Sequence, residues 1–415
     1  MILLAELKPF KAIRYTEKAG KIEELTCPPY DIISEEERKE FLKTNENNVI
    51  RLELPRDGED VYKTAGELFS KWIKDGVLAK DETEGIYIYE EQFEYDNKEY
   101  SLKGLIARVK LEEFSKGVVL PHENTLSKAK EDRFKLMSAC HTNFSLVYSL
   151  YFDEGKNTLK KAESKNPKEL YSFKSNDGIK HTLWKIEDTE EICKDFLNKK
   201  LYIADGHHRY ETALRYKNAN ISSDADYIMM MLVPMESDGL VVLPTHRVVH
   251  SVENFNGFKM LSLCDKYFDT LGVKSLQELE KLLDEIYDAG GIGFGLYFEN
   301  KYFVMSLKAN VNLAEIFEGL DSSLYSLDVT VLHSLILEKL LKIDIEALKN
   351  QTNLTYEKQA AKAISMVDNG ADCAFILNPT KVSQIADVAS HGEKMPQKST
   401  YFYPKLITGL VINEL

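Results

Sequence analysis

The 415-residue chain is long enough for two or three domains, and its 44% hydrophobic content gives each of them material for a core. A formal net charge of -14 repels polyanions, which argues against nonspecific DNA or RNA binding and leaves room only for a local basic pocket. Five scattered cysteines (Cys27, Cys140, Cys193, Cys264 and Cys373) lack CxxC spacing. They fit a reducing cytoplasm and argue against a disulfide framework or a cysteine zinc site.

The opening MILLAELKPFKAIRY has a short apolar run without a basic leader or a small-residue cleavage site, so it reads as a strand. No later stretch is apolar for long enough to span a bilayer. Glu35 to Lys43 and Val61 to Asp75 read as helices. Residues 86–111 read as a hairpin turning at Asp96-Asn97-Lys98. Residues 124–142 read as a helix and Phe144 to Phe152 as a strand. Leu201 to Ala204 is a short strand, Asp205 to Arg209 a turn, and Tyr210 to Lys217 a helix. Strands are expected at Asp226 to Val233 and Leu240 to Val249. Beyond residue 252, helices are expected at 257–271 and 276–289, and a hairpin at 292–298 and 302–308. Helices at 328–342, 355–368 and 380–390 follow, with a strand at Ala374 to Leu377 and a last one at Leu406 to Ile412. The chain divides on this reading into an N-terminal extension (1–99), a core (100–252) and a C-terminal α/β domain (253–415).

The segment with the most chemistry is Asp205-Gly206-His207-His208-Arg209, between a strand and a helix. Gly206 permits close approach of the backbone to an anion, and the first helical amides have no intrahelical acceptor. The helix dipole favours negative charge there, and Arg209 can hold a phosphate with two bonds. Other readings stay open: Asp205 as a simple N-cap, one histidine as structural, or a histidine-ligated metal, which adjacent histidines diverging on a helix make awkward.

Other polar positions carry weaker signals. Glu123 follows the apolar Val118-Val119-Leu120, and an apolar surround raises a carboxylate's pKa toward that of a general base. Lys128, Lys130 and Arg133 share a near-helical spacing, either as a solvated face or reaching a phosphate. Thr245, His246 and Arg247 interrupt a strong strand. Asp31 follows Pro28-Pro29-Tyr30 and either caps a turn or meets a metal or a substrate amine. His333 lies on an apolar helix face and reads as a core histidine. The lysines and prolines of residues 393–405 single out Lys398 and Ser399 as groups that could close over bound phosphates. There is no GxxxxGK[ST], GxGxxG or GxSxG.

Ile203 to Tyr210 resembles the phosphate-binding motif of the ParB/sulfiredoxin fold, and most of all that of its free-serine kinases, which carry DGHHR in the same strand–helix setting. Those kinases also carry an upstream Pro-His-Glu, matched here by Pro121-His122-Glu123 in the same order, though farther from the turn. Over nearly its full length the chain is similar to the DUF1015 family. The marks are Cys27-Pro28-Pro29-Tyr30-Asp31, Pro121 to Leu126, the DGHHR turn, Leu243 to Arg247 and Met395 to Thr400.

The resemblance implies an α+β protein with a ParB/sulfiredoxin-like core. It implies a phosphotransferase that moves a phosphoryl group from ATP or ADP, with Mg²⁺, to a small hydroxyl acceptor such as serine. Glu123, Asp205 and His207 are then the catalytic candidates, with Glu123 taking the acceptor's proton and Asp205 also a Mg²⁺ ligand. Gly206, His208, Arg209 and Lys398 are the nucleotide and phosphate contacts, and His122, Asp31, Arg133 and His246 the substrate contacts. The expected partners are a nucleotide and a small molecule, with neither membrane nor nucleic acid, and a second copy of the chain is a candidate partner. A metal-dependent phosphohydrolase and a ParB-like nucleotide switch are the rival readings.

Overall fold

A computed structural model of the protein describes residues 4–123, 125, 127–222, 224–343, 347 and 352–415. The fold is α+β. The chain forms two compact units. The first comprises Met1–Pro121, Thr125–Val241 and Pro404–Leu415, and the second His122–Asn124 and Val242–Tyr403.

The first unit is built on a nine-stranded mixed sheet. Its strands are β1 (Leu7–Lys8), β2 (Ile86–Tyr95), β3 (Lys98–Lys110), β4 (Val119–Leu120), β5 (Val147–Tyr151), β6 (Lys168–Lys174), β7 (Lys180–Ile186), β8 (Leu201–Asp205) and β9 (Tyr227–Pro234). The order is β4-β8-β5-β9-β3-β2-β7-β6, with β1 beside β3. Only β4/β8 and β5/β9 run parallel. The β2–β3 hairpin closes at Asp96 and Asn97, both at positive φ (50° and 57°), where a tight two-residue turn matches the strand twist. Inward residues of the sheet, among them Ile88, Leu105, Val147, Ile203 and Met230, form one buried core.

Helices α1 (Glu35–Thr44), α2 (Val61–Lys74), α3 (Ser127–Cys140) and α4 (His207–Asn218) accompany this sheet. A full capping box starts α1, with Ser34 accepting from the Glu37 amide and Glu37 accepting from the Ser34 amide. Phe69 and Trp72 of α2 join Leu136 of α3 in a second core with Leu25, Ile50 and Phe144.

The second unit has a six-stranded sheet: β10 (His246–Val249), β11 (Phe268–Val273), β12 (Gly293–Phe298), β13 (Lys301–Leu307), β14 (Leu354–Glu357) and β15 (Cys373–Ile376). The order is β11-β13-β12-β15-β10-β14, every pair antiparallel. Helices α5 (Gly257–Cys264), α6 (Leu276–Asp288), α7 (Ala360–Asp368) and α8 (Val382–Ser390) belong to it. Residues of α6 and α7, including Leu279, Leu283, Ala363 and Ile364, pack with β10, β12 and β15.

Several elements differ from the sequence-based expectation. The helix expected at 257–271 stops at Cys264, because Phe268–Val273 is taken up as an edge strand along β13. The helix expected at 355–368 begins as β14, paired to β10, and turns helical only at Ala360. The strand expected at Leu240 to Val249 is broken at Pro244, which has no amide to donate. The last expected strand, Leu406 to Ile412, makes only isolated bridges, Thr408 to Cys27 and Ile412 to Ile13. Gly409 interrupts it at φ 108°, where a Cβ would lie 3.1 Å from Val49. Strands β6 and β7 fall in a stretch for which no element was expected.

The β2/β7 pair holds a buried polar network. The Tyr89 hydroxyl lies 2.7 Å from both Glu91 Oε1 and His181 Nδ1. Burial pushes the Glu91 carboxyl up to about 8 and the His181 imidazole down to about 4. Between pH 4 and 6.5 the unfolded chain binds more protons at His181, so this group adds stability as pH rises. Folded Glu91 keeps a proton that the unfolded chain releases, so its contribution is lost as pH rises toward 8. Of these two groups, only Glu91 still titrates above pH 6.5. Glu91 is expected to lower stability by about 2 kcal/mol between pH 6.5 and 8, and Glu91→Gln to remove that part of the fall. Urea denaturation at several pH values measures it, and an equal slope in both proteins would remove Glu91 as the cause.

Candidate functional site

Strand β8 ends at Asp205, and α4 begins at His207, two residues into the expected turn. Gly206 is the N-cap, at φ 90° and ψ 27°. Asp205 is therefore not the N-cap. Only glycine suits the junction: besides the left-handed φ, a Cβ would stand 2.9 Å from Arg209 Nε. Gly206 has no side chain with which to cap the first helical amides. His207, His208 and Arg209 form the first turn of α4, with His207 and Arg209 buried and His208 half-buried.

Asp205 is held between two cations. Its Oδ2 accepts from Arg209 at 2.5 Å, and its Oδ1 accepts from Lys405. A second Arg209 nitrogen donates to the Leu146 carbonyl. Burial works against the Arg209 charge, yet Asp205, Asp31, Tyr30 and Glu53 together hold its pKa above the usual arginine value. Both Asp205 oxygens are committed to cations, so a Mg²⁺ ion held through Asp205 does not fit this arrangement. Among the described residues there is no group of three or more His, Cys, Asp or Glu side chains placed to hold a metal.

A second buried arginine lies in the same unit. Arg133, on α3, donates to the Glu53 carbonyl at 2.7 Å and to Asp132 at 2.6 and 2.9 Å. Its guanidinium stacks 3.9 Å from the Tyr30 ring centroid. The Glu53 carboxylate, 3.8 Å from Arg133, is fully buried, and its Oε1 makes no hydrogen bond. Burial raises the Glu53 pKa against the pull of Arg133 and Arg209. Glu53, Arg133, Ser145 and Arg209 line one small cavity of about 30 Å³. The structure thus brings together Asp31, Arg133, Asp205 and Arg209, with Asp31 exposed in a short turn after Pro28-Pro29. Sequence reasoning missed Glu53 and Lys405. Glu53 sits in Ile50 to Leu54, where apolar and charged residues alternate without a motif, and Lys405 was passed over for Lys398. Lys130 is engaged by Glu211 at 2.7 Å, and Thr125 by the same carboxylate at 2.8 Å. Asn124 and Leu126, like the side chain of Lys128, lie outside the described residues.

The other candidates belong to the second unit. Glu123 forms a bridge with Met395, and its Oε1 accepts from the Lys398 amide at 2.9 Å. His122 is buried, with Nε2 3.0 Å from the Thr400 hydroxyl. Lys398 is exposed at φ 56°, its amide on Glu123 and its carbonyl accepting from Arg247 at 3.1 Å. Ser399 is buried and donates to the Pro396 carbonyl at 2.5 Å. His246 is buried and accepts from the Leu377 amide at 3.2 Å, and burial beside Arg247 lowers its pKa to about 4. His333 is buried and accepts from Arg247 Nε at 3.2 Å.

A strand, a left-handed glycine and a helix that opens with His207, His208 and Arg209 form this junction on an α+β scaffold. The chain belongs to the DUF1015 family, described as a protein of unknown function, whose sequence pattern spans residues 7–330. No curated protein matches the chain. Among solved structures, it is similar to a free serine kinase in complex with AMP (13% identity, TM-score 0.39), over 75% of this chain and 91% of that one. It is also similar to a conserved hypothetical protein from Pyrococcus furiosus (14% identity, TM-score 0.38), over 75% of this chain and 95% of that one. A third is a C-terminally truncated SbnI from Staphylococcus aureus (9% identity, TM-score 0.39), over 74% of this chain and 87% of that one. Among the described residues, no helix is long and apolar enough to cross a membrane.

Proposed function

We propose that the protein transfers a phosphoryl group from a nucleotide to the hydroxyl of a small metabolite, with serine or a similar hydroxy amino acid as the first acceptor to test. The observation that carries this reading is the Asp205–Gly206–His207 junction. A left-handed glycine opens a helix N-terminus, and Arg209 and Lys405 are held beside it on one carboxylate. A phosphate arriving at the first amides of α4 would compete with Asp205 for these two cations. His208 and the amides after Gly206 would bind it, and His207 would fix the turn. In phosphoryl transfer, positioning and charge neutralisation supply most of the catalysis.

The remaining roles rest on the motif resemblance. Glu123 takes the proton from the attacking hydroxyl, and His122, Asp31, Arg133 and His246 are the candidates for holding the acceptor. Incubating the protein with ATP, ADP or CTP and a panel of hydroxy amino acids, followed by mass spectrometry, tests the reading. A phosphorylated amino acid is the expected product. Phosphate release that ignores the acceptor would replace this reading with a phosphohydrolase.

Lys398 has an exposed side chain on a backbone that holds Glu123 and Arg247. If it neutralises phosphate, Lys398→Ala lowers transfer by about tenfold and raises the hydrolysed share of nucleotide. Lys398→Gly, which relieves the positive φ, should behave in the same way. An unchanged ratio of transfer to hydrolysis in both variants would remove the side chain from the reaction.

A further inference from the structure

The second unit contains a cavity of about 80 Å³, with Thr245, Arg247, Asp328, Thr380, Lys381 and Ser399 among its lining residues. A single water needs about 10–15 Å³ on this measure, so the space suits a molecule of roughly six non-hydrogen atoms. The unusual feature of its wall is a buried guanidinium without a close ion pair: Arg247 feels Glu123 and the Tyr356 ring, whose centroid is 5.2 Å away, but no carboxylate is hydrogen-bonded to it among the described residues. The Arg247 side chain is 1% exposed, yet its guanidinium donates only to the Thr245 and Lys398 carbonyls and to His333. Among the described residues, no carboxylate forms an ion pair with it. Buried charges are ordinarily paired, because the desolvation cost is otherwise uncompensated.

Asp328 is the complement. It lines the same cavity, and among the described residues no cation forms an ion pair with its carboxylate, whose hydrogen bonding is to its own backbone amide. Burial, partly offset by Lys381, pushes its carboxyl up to about 7. Lys381 itself is committed to Tyr287, donating to its carbonyl at 3.1 Å and lying 3.9 Å from its ring centroid.

The hydroxyls sharpen the ligand's chemistry. Ser399 donates to the Pro396 carbonyl and Thr380 to the Ser399 carbonyl, so both offer only lone pairs to an occupant. Thr245, 6% exposed, adds a further hydroxyl to the lining. A simple anion would match Arg247 but would face Asp328 and two accepting hydroxyls. A simple cation would match Asp328 but would face Arg247. A ligand carrying both charges satisfies both.

We propose that this cavity binds a small zwitterion, with its carboxylate on Arg247 and its ammonium on Asp328 and the neighbouring hydroxyl oxygens. The site is built wholly from the second unit and needs no nucleotide, so its failure would leave the phosphoryl-transfer reading standing, and the reverse holds too.

Calorimetry on the full chain, without nucleotide, tests it with glycine, alanine and β-alanine as probes. Each is compared with its N-acetyl form, which lacks the ammonium, and its amide, which lacks the carboxylate. At least one free amino acid should bind saturably at millimolar concentration, and both blocked forms at least tenfold more weakly. Asp328→Asn, which keeps the shape, should weaken binding at least tenfold with an unchanged melting profile. The probe comparison uses the wild-type protein and so does not depend on the variant folding. Absence of saturable binding for all three probes, equal binding of a blocked form, or tighter binding of inorganic phosphate than of any zwitterion would each overturn the proposal.

Discussion

Replacing Glu123 by Gln is expected to lower turnover by about 10²-fold or more while leaving nucleotide affinity nearly unchanged. Glu123 is fixed from both sides: its backbone bridges to Met395, and its Oε1 accepts from the Lys398 amide. Glutamine keeps an oxygen at that acceptor position, so the local geometry should persist. What disappears is the capacity to take a proton. A purely structural role would show in the melting temperature and spare turnover. A base would show in turnover and spare the melting temperature. Steady-state kinetics with calorimetry for the nucleotide separates these, and normal turnover in the variant would remove Glu123 from the chemistry.

The second large effect is on stability. Read from sequence alone, Arg209 is a phosphate ligand whose loss the fold should survive if the side chain is exposed. It is 7% exposed and joins β8, α4 and the Leu146 carbonyl. Arg209→Ala strips Asp205 of one of its two cations and orphans a buried carbonyl, at an expected cost of about 3–5 kcal/mol. Nucleotide affinity should fall as well, by about 2 kcal/mol, where the protein remains folded. Urea denaturation gives the first number if the slope of the transition is unchanged. Arg209→Lys should recover part of the stability through the charge but lose the forked geometry. A stability change under about 1 kcal/mol in the alanine variant would mean that the Arg209–Asp205 pair contributes little to holding the turn.

The strand–Gly–helix turn was legible because Asp-Gly between an apolar run and a helical pattern has few alternative conformations, and Gly206 indeed carries the positive φ. The β2–β3 hairpin was legible for the same local reason at Asp96-Asn97. Elements decided by distant partners were not. Phe268–Val273 has a composition compatible with a helix end and becomes a strand through pairing with Lys301–Leu307. The same limit applies to the charged cluster of the first unit. Arg133 and Asp31 were singled out by type. Glu53 has no local mark, since its importance lies in the burial of its carboxylate beside Arg133, which only tertiary structure determines.

The second unit lies, in sequence, inside the first. Residues 404–415 return to the first unit after Val242–Tyr403 has been made, and bring Lys405 to Asp205 and Ile412 to Ile13. During synthesis at about 5–20 residues per second, the β8–α4 turn therefore waits on the order of ten seconds or more for its second cation. Until then Asp205 has Arg209 alone, and Ile13 lacks its Ile412 partner in the bridge. A nascent chain released before residue 404 could complete the sheet of the first unit but would lack the Lys405 contact to Asp205. Residues 404–415 thus tie the maturation of the turn to translation of the inserted unit that precedes them.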